Sequence, residues 1–291
     1  NGVGGPTYVG TINSHVGTGA NSTVCLRSDG GLTDVEPSLL PAAWLTGGAI
    51  TAAESSSLTT SRQFGVIFGV AVTENAYRSL QNIQFPGTYT DITDIAGEPT
   101  DTTNALRPSL PKSAVSSLIR AGSSIDSLQA LDQAIIRPTG ASGFLTLCRR
   151  ASGSGAQQAE DIFLMGSPCL GASQLSMRTS NDGGMFVFQN STTGDVKDCL
   201  NGSADGSLVG AALDGIGFLS LENQPGASDS WQYIKIDGAD PTVDNAIAGT
   251  YPNWFEQAIV WKTTAVSGDT QHALEMIRDA AANPAILTSS G

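Results

Sequence analysis

A continuous apolar run, Gly143-Phe144-Leu145-Thr146-Leu147-Cys148-Arg149-Arg150, leads directly into the polar turn Ser152-Gly153-Ser154-Gly155. A run of this length and composition predicts a strand that is buried on both faces. The residues from Ala156 to Leu164 are rich in Ala, Gln and Glu, and they predict a helix. A strand, a glycine-rich loop and a helix start form a layout in which backbone N–H groups can hold an anion. The segment therefore predicts an α/β fold with an anion site at this loop.

The same order of elements is found earlier in the chain. The run from Gln63 to Val72 predicts a buried strand that feeds a helix beginning at Glu74. The residues from Pro108 to Ile119 predict a second helix with Ser109 as its N-cap. Alternating strands and helices are typical of α/β sheets.

Three further elements are predicted in the last third of the chain. The residues Gly215 to Ser220 predict a short buried strand, and Trp231 to Ile236 predict a strand with one exposed face. The residues Gln271 to Ala282 predict a helix whose apolar side chains share one face. These side chains are Ala273, Leu274, Ile277, Ala280 and Ala281. At 291 residues the chain is long for one domain, so we expect two lobes.

The composition argues against several classes of partner. The formal net charge is −13, whereas nucleic acids and anionic membranes are bound through an excess of Lys and Arg. Hydrophobic residues make up 40% of the chain and charged residues 14%, so a core can form. The negative net charge does not exclude an anionic ligand, because local N–H groups and arginines act at short range, where the screened global field is weak.

Several features favour an exported protein. No apolar run of about 18 residues is present, and the chain begins at Asn1, which suggests a signal peptide that has been removed. The four cysteines lack Cys-x-x-Cys spacing and neighbouring histidines, so disulfides are favoured over zinc. We expect Cys169 to pair with Cys199, which would close a polar, glycine-rich loop, and Cys25 to pair with Cys148.

The chain shows no signature of an enzyme active site. His15 and His272 are far apart in sequence, and no Gly-x-Ser-x-Gly, Walker lysine or His-Glu-x-x-His motif occurs. Glu160 and Asp161 are adjacent, so they are expected to point to different faces of a helix and to be solvated. Arg149 is interpreted as a surface or interlobe salt-bridge partner. We therefore expect no catalytic residues, no metal site and no cofactor.

Four stretches, in this order along the chain, are together similar to the sequence motifs of a known family. They are Asn1-Gly2-Val3-Gly4-Gly5-Pro6-Thr7, Ser28-Asp29-Gly30-Gly31-Leu32-Thr33-Asp34-Val35-Glu36, Arg150-Ala151-Ser152-Gly153-Ser154-Gly155-Ala156, and the block from Gly215 to Pro252. The second is similar to the motif Ser-Asp-x-x-Leu-Ser/Thr-Asp-x-Glu, and the third is similar to Arg-x-x-x-Ser-Gly-Thr. Together they resemble the phosphate-binding proteins of bacterial phosphate ABC transporters, including the secreted DING-type members.

The resemblance implies the type II periplasmic-binding fold, an α/β architecture of two lobes with a ligand cleft between them. Residues 1–70 and 237–291 would form the first lobe, which is discontinuous in sequence. Residues 71–236 would form the second lobe. Closure of the two lobes would bring ligand-binding residues from both to one anion.

The resemblance also implies which residues bind the ligand. They are Thr7, Thr18, Gly19, Ser28 and Asp29 on the first lobe, and Arg150, Ser154, Gly155 and Ala156 on the second. Arg150 offers a planar fork for two phosphate oxygens. Asp29 can accept the proton that phosphate still carries, whereas sulfate has no such proton and would be rejected. Ala156 stands where the family usually has Thr, which removes one hydroxyl donor, while Thr18 keeps the hydroxyl of the family's Ser.

The function implied by the resemblance is that of a solute-binding protein, not an enzyme. It would capture phosphate or a related oxyanion in the periplasm or outside the cell, and it would deliver the anion to the membrane component of an ABC transporter. The alternative is an extracellular structural or adhesive protein that reuses the fold without tight binding. Ala156, the low charge density and the Gly/Ser/Thr-rich ends are consistent with that alternative, which leaves self-assembly open. Hydrolysis of phosphoesters is disfavoured.

Overall fold

The computed structural model describes ten stretches of the chain, and its residues divide into two compact units. One unit comprises Asn1–Phe64 and Glu256–Gly291, and the other comprises Gly65–Phe255. The described residues are 7–12, 22–27, 30–37, 51–86, 105–120, 145–151, 153–166, 185–202, 214–264 and 268–283. Within these residues the chain is a mixed α/β protein, as predicted.

The strands in the described residues are β1 (Thr7–Ile12), β2 (Ser22–Arg27), β3 (Gly30–Thr33), β4 (Leu58–Thr73), β5 (Ser109–Leu110), β6 (Leu145–Arg150), β7 (Met185–Asn190), β8 (Asp214–Ser220), β9 (Trp231–Tyr233), β10 (Lys235–Ile236) and β11 (Trp254–Lys262). The helices are α1 (Ala52–Ser56), α2 (Glu74–Gln84), α3 (Lys112–Ile119), α4 (Gly155–Met165), α5 (Thr193–Leu200), α6 (Val243–Ile247) and α7 (Gly268–Ala281). Strands β4 and β11 contribute residues to both units.

The unit that contains the two chain ends holds two antiparallel pairs. Strands β1 and β2 pair with Thr7 opposite Arg27, and β3 pairs with β11 with Thr33 opposite Ala258. The predicted final helix is present as α7. Its apolar face is not buried among the described residues, because Ile277 is 53% exposed.

The unit Gly65–Phe255 is built on a mixed sheet. Strand β6 lies between β7 and β8 and runs parallel to both. Strand β8 runs antiparallel to β4, which also pairs with β9. The strands predicted over Gln63–Val72 and Gly215–Ser220 are present as parts of β4 and β8. Burial of the first is confirmed only from Phe68 onward, since Phe64 is 40% exposed.

The core of this unit lies between the sheet and its helices. Helix α4 packs against α3, β6 and β8, and α5 packs against β6, β7 and β8. Each buried leucine or phenylalanine of such a core stabilises the fold by roughly 1.5–3 kcal/mol. The largest fully buried side chains are Trp231, Tyr77, Tyr251, Phe68, Leu110, Leu118, Leu145, Leu147 and Met165.

The predicted N-cap of the helix after Pro108 is wrong. Ser109 lies in β5, where its N–H donates to Gln84 Oε1 at 2.8 Å and its Oγ accepts from Gly238 N at 2.9 Å. These long-range bonds hold Ser109 in an extended conformation, and α3 begins at Lys112 after Pro111. The predicted strand Trp231–Ile236 is divided into β9, which pairs with β4, and β10, which pairs with β5.

The predicted disulfide pairings are also wrong. Cys148 of β6 is bonded to Cys199 of α5, with Cα atoms 5.8 Å apart. Because each of these residues was assigned to a different partner, neither the pair Cys169–Cys199 nor the pair Cys25–Cys148 can form. The physical reason is the packing of α5 on β6, which buries both cysteines against each other. Cys169 lies outside the described residues.

In the part of the chain that the structure describes, no helix combines the length and the apolar character that a membrane span requires.

Candidate functional site

Four of the predicted ligand residues are brought together at the end of β6. Arg150 is the last residue of that strand, Ser154 is the N-cap of α4, and Gly155 and Ala156 are the first two residues of α4. All four are half-buried, and all lie in the unit Gly65–Phe255. Among the other predicted ligands, Thr7 begins β1. Thr18, Gly19, Ser28 and Asp29 lie outside the described residues.

The turn between β6 and α4 is held by backbone hydrogen bonds. Ala151 N donates to Asn190 O of the neighbouring strand at 3.0 Å, and Ser154 N donates back to Ala151 O at 2.9 Å. Gly153 is exposed, and a side chain at its position would meet no other atom. The sequence folds this way because the apolar strand is paired on both sides, while the glycine-rich turn has nothing to bury.

The first N–H groups of α4 have no side-chain cap among the described residues. Ser154 has extended backbone angles and makes no capping bond with its side chain, and the first helical bond runs from Gln158 N to Ser154 O at 3.0 Å. In any helix the first N–H groups lack an intrahelical acceptor, and the helix dipole makes this end electropositive. No acidic residue lies in the first turn to neutralise it. The helix predicted over Ala156–Leu164 is confirmed.

The side chain of Arg150 is fixed by the neighbouring loop. Its Nη1 donates to Thr193 Oγ1 at 2.9 Å, and its Nη2 donates to Ser191 O at 3.0 Å. Its backbone N donates to Gln157 Oε1 at 3.0 Å. Its Nε is buried and has no hydrogen-bond partner among the described residues. Each Nη atom of a guanidinium carries two N–H groups, so Nη1 and Nη2 each keep one for a ligand.

The loop that fixes Arg150 was not predicted from the sequence. It connects β7 to α5 and is closed by a capping box, in which Thr192 Oγ1 accepts from Asp195 N at 3.1 Å and Asp195 Oδ2 accepts from Thr192 N at 2.8 Å. Hydrogen bonds from Thr192 lower the pKa of Asp195, and the charge of Arg150 lowers it further. The signal for this loop was available: an apolar run over β7 ends in Asn190-Ser191-Thr192-Thr193, a second strand followed by a polar turn and a helix.

Three charged residues close to the site in sequence lie in the core: Arg149 of β6, and Glu160 and Asp161 of α4. Glu160 and Asp161 are both fully buried, and Arg149 is 6% exposed, so the interpretations of solvated carboxylates and a surface arginine are wrong. Helix α4 packs against α3 as well as against the sheet, so more than one of its faces is covered. Burial lowers the pKa of Arg149, and the charge of Asp161 partly opposes that effect. Gln157 Nε2 donates to Asp161 Oδ1 at 3.1 Å, which links Arg150 to this buried group.

Burial raises the pKa of Glu160 well above its ordinary value. The charge of Asp161 raises it further, while the side chain of Asn253 acts in the opposite direction. Neither carboxyl oxygen of Glu160 has a well-formed hydrogen bond among the described residues. Burial therefore favours the neutral form of this carboxyl group over the charged form.

Within the described stretches, no group of three His, Cys, Asp or Glu side chains is placed to hold a metal ion.

No protein-family model matches the chain, and no curated protein matches its sequence. Solved structures do show a distant likeness. A protein from Clostridium perfringens, assigned to phosphate ABC transport as a substrate-binding protein and solved with bound phosphate, is 12% identical, with 86% of this chain and 72% of that chain covered and a TM-score of 0.49. An ABC-type phosphate transport receptor from Vibrio cholerae is 13% identical, with 86% and 73% covered and a TM-score of 0.44. The CcmR regulatory domain from Synechocystis PCC6803, in complex with 2-PG, is 10% identical, with 78% and 69% covered and a TM-score of 0.33.

The predicted α/β fold class is confirmed, and substrate-binding proteins of phosphate ABC transporters are among the chain's structural neighbours. At these identities and TM-scores the likeness does not identify a ligand. The ligand must therefore be argued from the residues of this chain.

Proposed function

We propose that the chain is an extracytoplasmic solute-binding protein that captures a small oxyanion, with inorganic phosphate as the first candidate. The observation that supports this most directly is the state of Arg150. Thr193 and Ser191 fix its guanidinium at the end of β6, and each of its Nη atoms keeps a second N–H that is not used in these bonds. A ligand can be reached by these two N–H groups, and hydrogen bonds to a charged group contribute about 1.5–3 kcal/mol each.

The start of α4 supplies the second half of the proposed site. Its N-cap, Ser154, lies four residues after Arg150, and the two are held in one turn by the bond from Ser154 N to Ala151 O. A phosphate there would accept hydrogen bonds from the first N–H groups of the helix and from the guanidinium. Hydrogen bonds between charged groups are shorter and about twice as strong as neutral ones. The net charge of −13 opposes this only weakly, because distant charges are screened by salt.

The remaining ligands are proposed from the sequence resemblance. They are Thr7, Thr18, Gly19, Ser28 and Asp29 in residues 1–70, which with residues 237–291 form the proposed first lobe, while residues 71–236 form the second. In this proposal Asp29 accepts the phosphate proton. A sulfate ion would leave that carboxylate facing another acceptor, so the site should reject sulfate.

The proposal makes the protein a carrier, not an enzyme, and locates it in the periplasm or outside the cell. The disulfide between Cys148 and Cys199 supports export, because disulfides persist in oxidising compartments and are rare in the cytosol. The partner proposed from the resemblance is the membrane component of an ABC transporter.

Calorimetric titration of phosphate-stripped protein with phosphate tests the proposal, with sulfate and the Asp29→Ala variant in parallel. We expect phosphate to bind, sulfate to give no heat, and the variant to discriminate less between the two anions. No heat and no thermal stabilisation with either anion would contradict the proposal and favour the structural or adhesive alternative.

A further inference from the structure

The hydrogen bond between Arg150 and Thr193 leaves one donor free. Arg150 Nη1 and Thr193 Oγ1 are 2.9 Å apart. A guanidinium can only donate, so the threonine hydroxyl must be the acceptor in this bond. The O–H of Thr193 is then available to donate to another group. Among the described residues the Thr193 side chain makes no other hydrogen bond.

The hydroxyl of Thr193 is not needed to cap α5. That role belongs to Thr192 and Asp195, which bond to each other in both directions of the capping box. Thr193 is the first residue of the helix and is half-buried. Thr193 therefore has no capping role, and its oxygen is held against the guanidinium of Arg150. Its hydroxyl hydrogen can donate to a ligand that binds to the same guanidinium.

A hydroxyl that the motif would supply is missing from the start of α4. Ala156, the second residue of α4, stands where the motif Arg-x-x-x-Ser-Gly-Thr has its Thr. An oxyanion at Arg150 would therefore receive no side-chain hydroxyl from that position. Thr193 Oγ1 already lies at hydrogen-bonding distance from Arg150, and so within reach of an oxygen atom bound to the same guanidinium.

We propose that the loop Ser191–Thr193 is part of the anion site: Thr193 is a ligand that donates its hydroxyl hydrogen to the bound oxyanion, and Ser191 is a positioning residue that holds Arg150 through its carbonyl oxygen. The proposal rests on the proposed function. It assigns the hydroxyl donor that Ala156 cannot provide to a residue 37 positions later in the chain. The ligand class remains a tetrahedral oxyanion, for which inorganic phosphate is the probe.

The test is calorimetric titration with phosphate of the wild-type protein, Thr193→Val and Thr193→Ser. Valine has the shape of threonine without the hydroxyl, so we expect Thr193→Val to weaken phosphate binding about tenfold, equivalent to about 1.4 kcal/mol. Serine keeps the hydroxyl, so Thr193→Ser should bind within about twofold of the wild type. Denaturant unfolding without phosphate should give similar midpoints for all three proteins, which separates weaker binding of the ligand from damage to the fold.

A second pair of variants tests the compensation. Adding a hydroxyl at the start of α4 in the Thr193→Val background, as Ala156→Thr, should recover most of the missing affinity. If the wild type binds phosphate and Thr193→Val binds it equally well, this inference is overturned and the proposed function stands. If the wild type binds no phosphate, the proposed function fails and the inference fails with it.

Discussion

Cys148 and Cys199 are joined by a disulfide whose Cα atoms lie 5.8 Å apart, and this bond connects the two segments that hold Arg150. Cys148 precedes Arg150 by two residues in β6, and Cys199 lies in α5, the helix that begins at Thr193. The covalent link therefore joins the strand that carries the guanidinium to the helix whose first turn accepts its hydrogen bond.

We predict that removing this disulfide with the double variant Cys148→Ala/Cys199→Ala lowers the free energy of unfolding by about 2–4 kcal/mol. The two cysteines are 51 residues apart, so the bond closes a long loop in the unfolded chain and restricts its conformations. Urea unfolding followed by circular dichroism measures the difference.

Peptide mass mapping under non-reducing conditions is the direct check of the pairing. A peptide containing Cys148 should be found linked to one containing Cys199. A link between Cys169 and Cys199 would show that this part of the structure is wrong.

Glu160 should make the stability of the protein depend on pH. Its pKa is raised in the folded state above the ordinary value of 4.5, chiefly by burial. The unfolded chain loses this proton above about pH 4.5, whereas the folded chain keeps it. The free energy of unfolding therefore falls as pH rises through this window, by at most about 1.4 kcal/mol per pH unit, and levels off above the folded pKa.

Replacing Glu160 with glutamine should remove this loss of stability at higher pH. Glutamine is neutral at every pH and similar in shape to the protonated acid, so we expect Glu160→Gln to be more stable than the wild type near pH 8 and close to it near pH 4. Glu275→Gln, at a carboxyl of α7 that is not buried, is the control and should change neither value. If Glu160→Gln and the wild type differ in free energy of unfolding by the same amount at both pH values, Glu160 is not the source of the pH dependence.

Gly69 in β4 should tolerate no side chain. A Cβ atom there would lie 2.5 Å from Cδ1 of Tyr233. The ring of Tyr233 cannot easily move, because its single O–H is shared between Ser220 O at 3.0 Å and Asn223 O at 2.8 Å. We expect Gly69→Ala to lower the free energy of unfolding by about 1–3 kcal/mol.

Gly65 in the same strand provides the matched control. A Cβ atom there would be 3.5 Å from Trp254 Cε3, an ordinary contact, so Gly65→Ala should stay within about 0.5 kcal/mol of the wild type. Thermal and urea unfolding of both variants measure the contrast. Equal stabilities would show that Tyr233 does not pack on Gly69 as described.

The elements around the site could be predicted from the sequence because their signals are local. The apolar run ending at Arg150, the glycine-rich turn and the following helix lie within one short segment, and the structure has β6 and α4 there. The same holds for the strand over Gln63–Val72, which continues directly into α2.

The features that sequence reasoning missed depend on contacts between distant segments. Glu160 is buried beside Asn253, and Asp161 is buried beside Arg149 of β6. The sequence of α4 does not indicate either neighbour. The partner of Cys148 is decided by how α5 packs on β6. The contact between Arg150 and Thr193 joins residues separated by 43 positions. The spacing of apolar residues indicates local helices and strands, and it does not indicate contacts between segments so far apart in the sequence.

The most direct test of an oxyanion site at Arg150 is calorimetric titration of Arg150→Ala with phosphate beside the wild type and Arg120→Ala. Arg120 is an exposed arginine in the same unit, so its variant removes the same charge and keeps Arg150 in place. We predict that Arg120→Ala binds like the wild type, whereas Arg150→Ala binds about a hundredfold more weakly or not at all. That loss corresponds to charge-assisted hydrogen bonds worth roughly 1.5–3 kcal/mol each. Phosphate binding that is equally tight in the wild type and in Arg150→Ala would contradict the central claim.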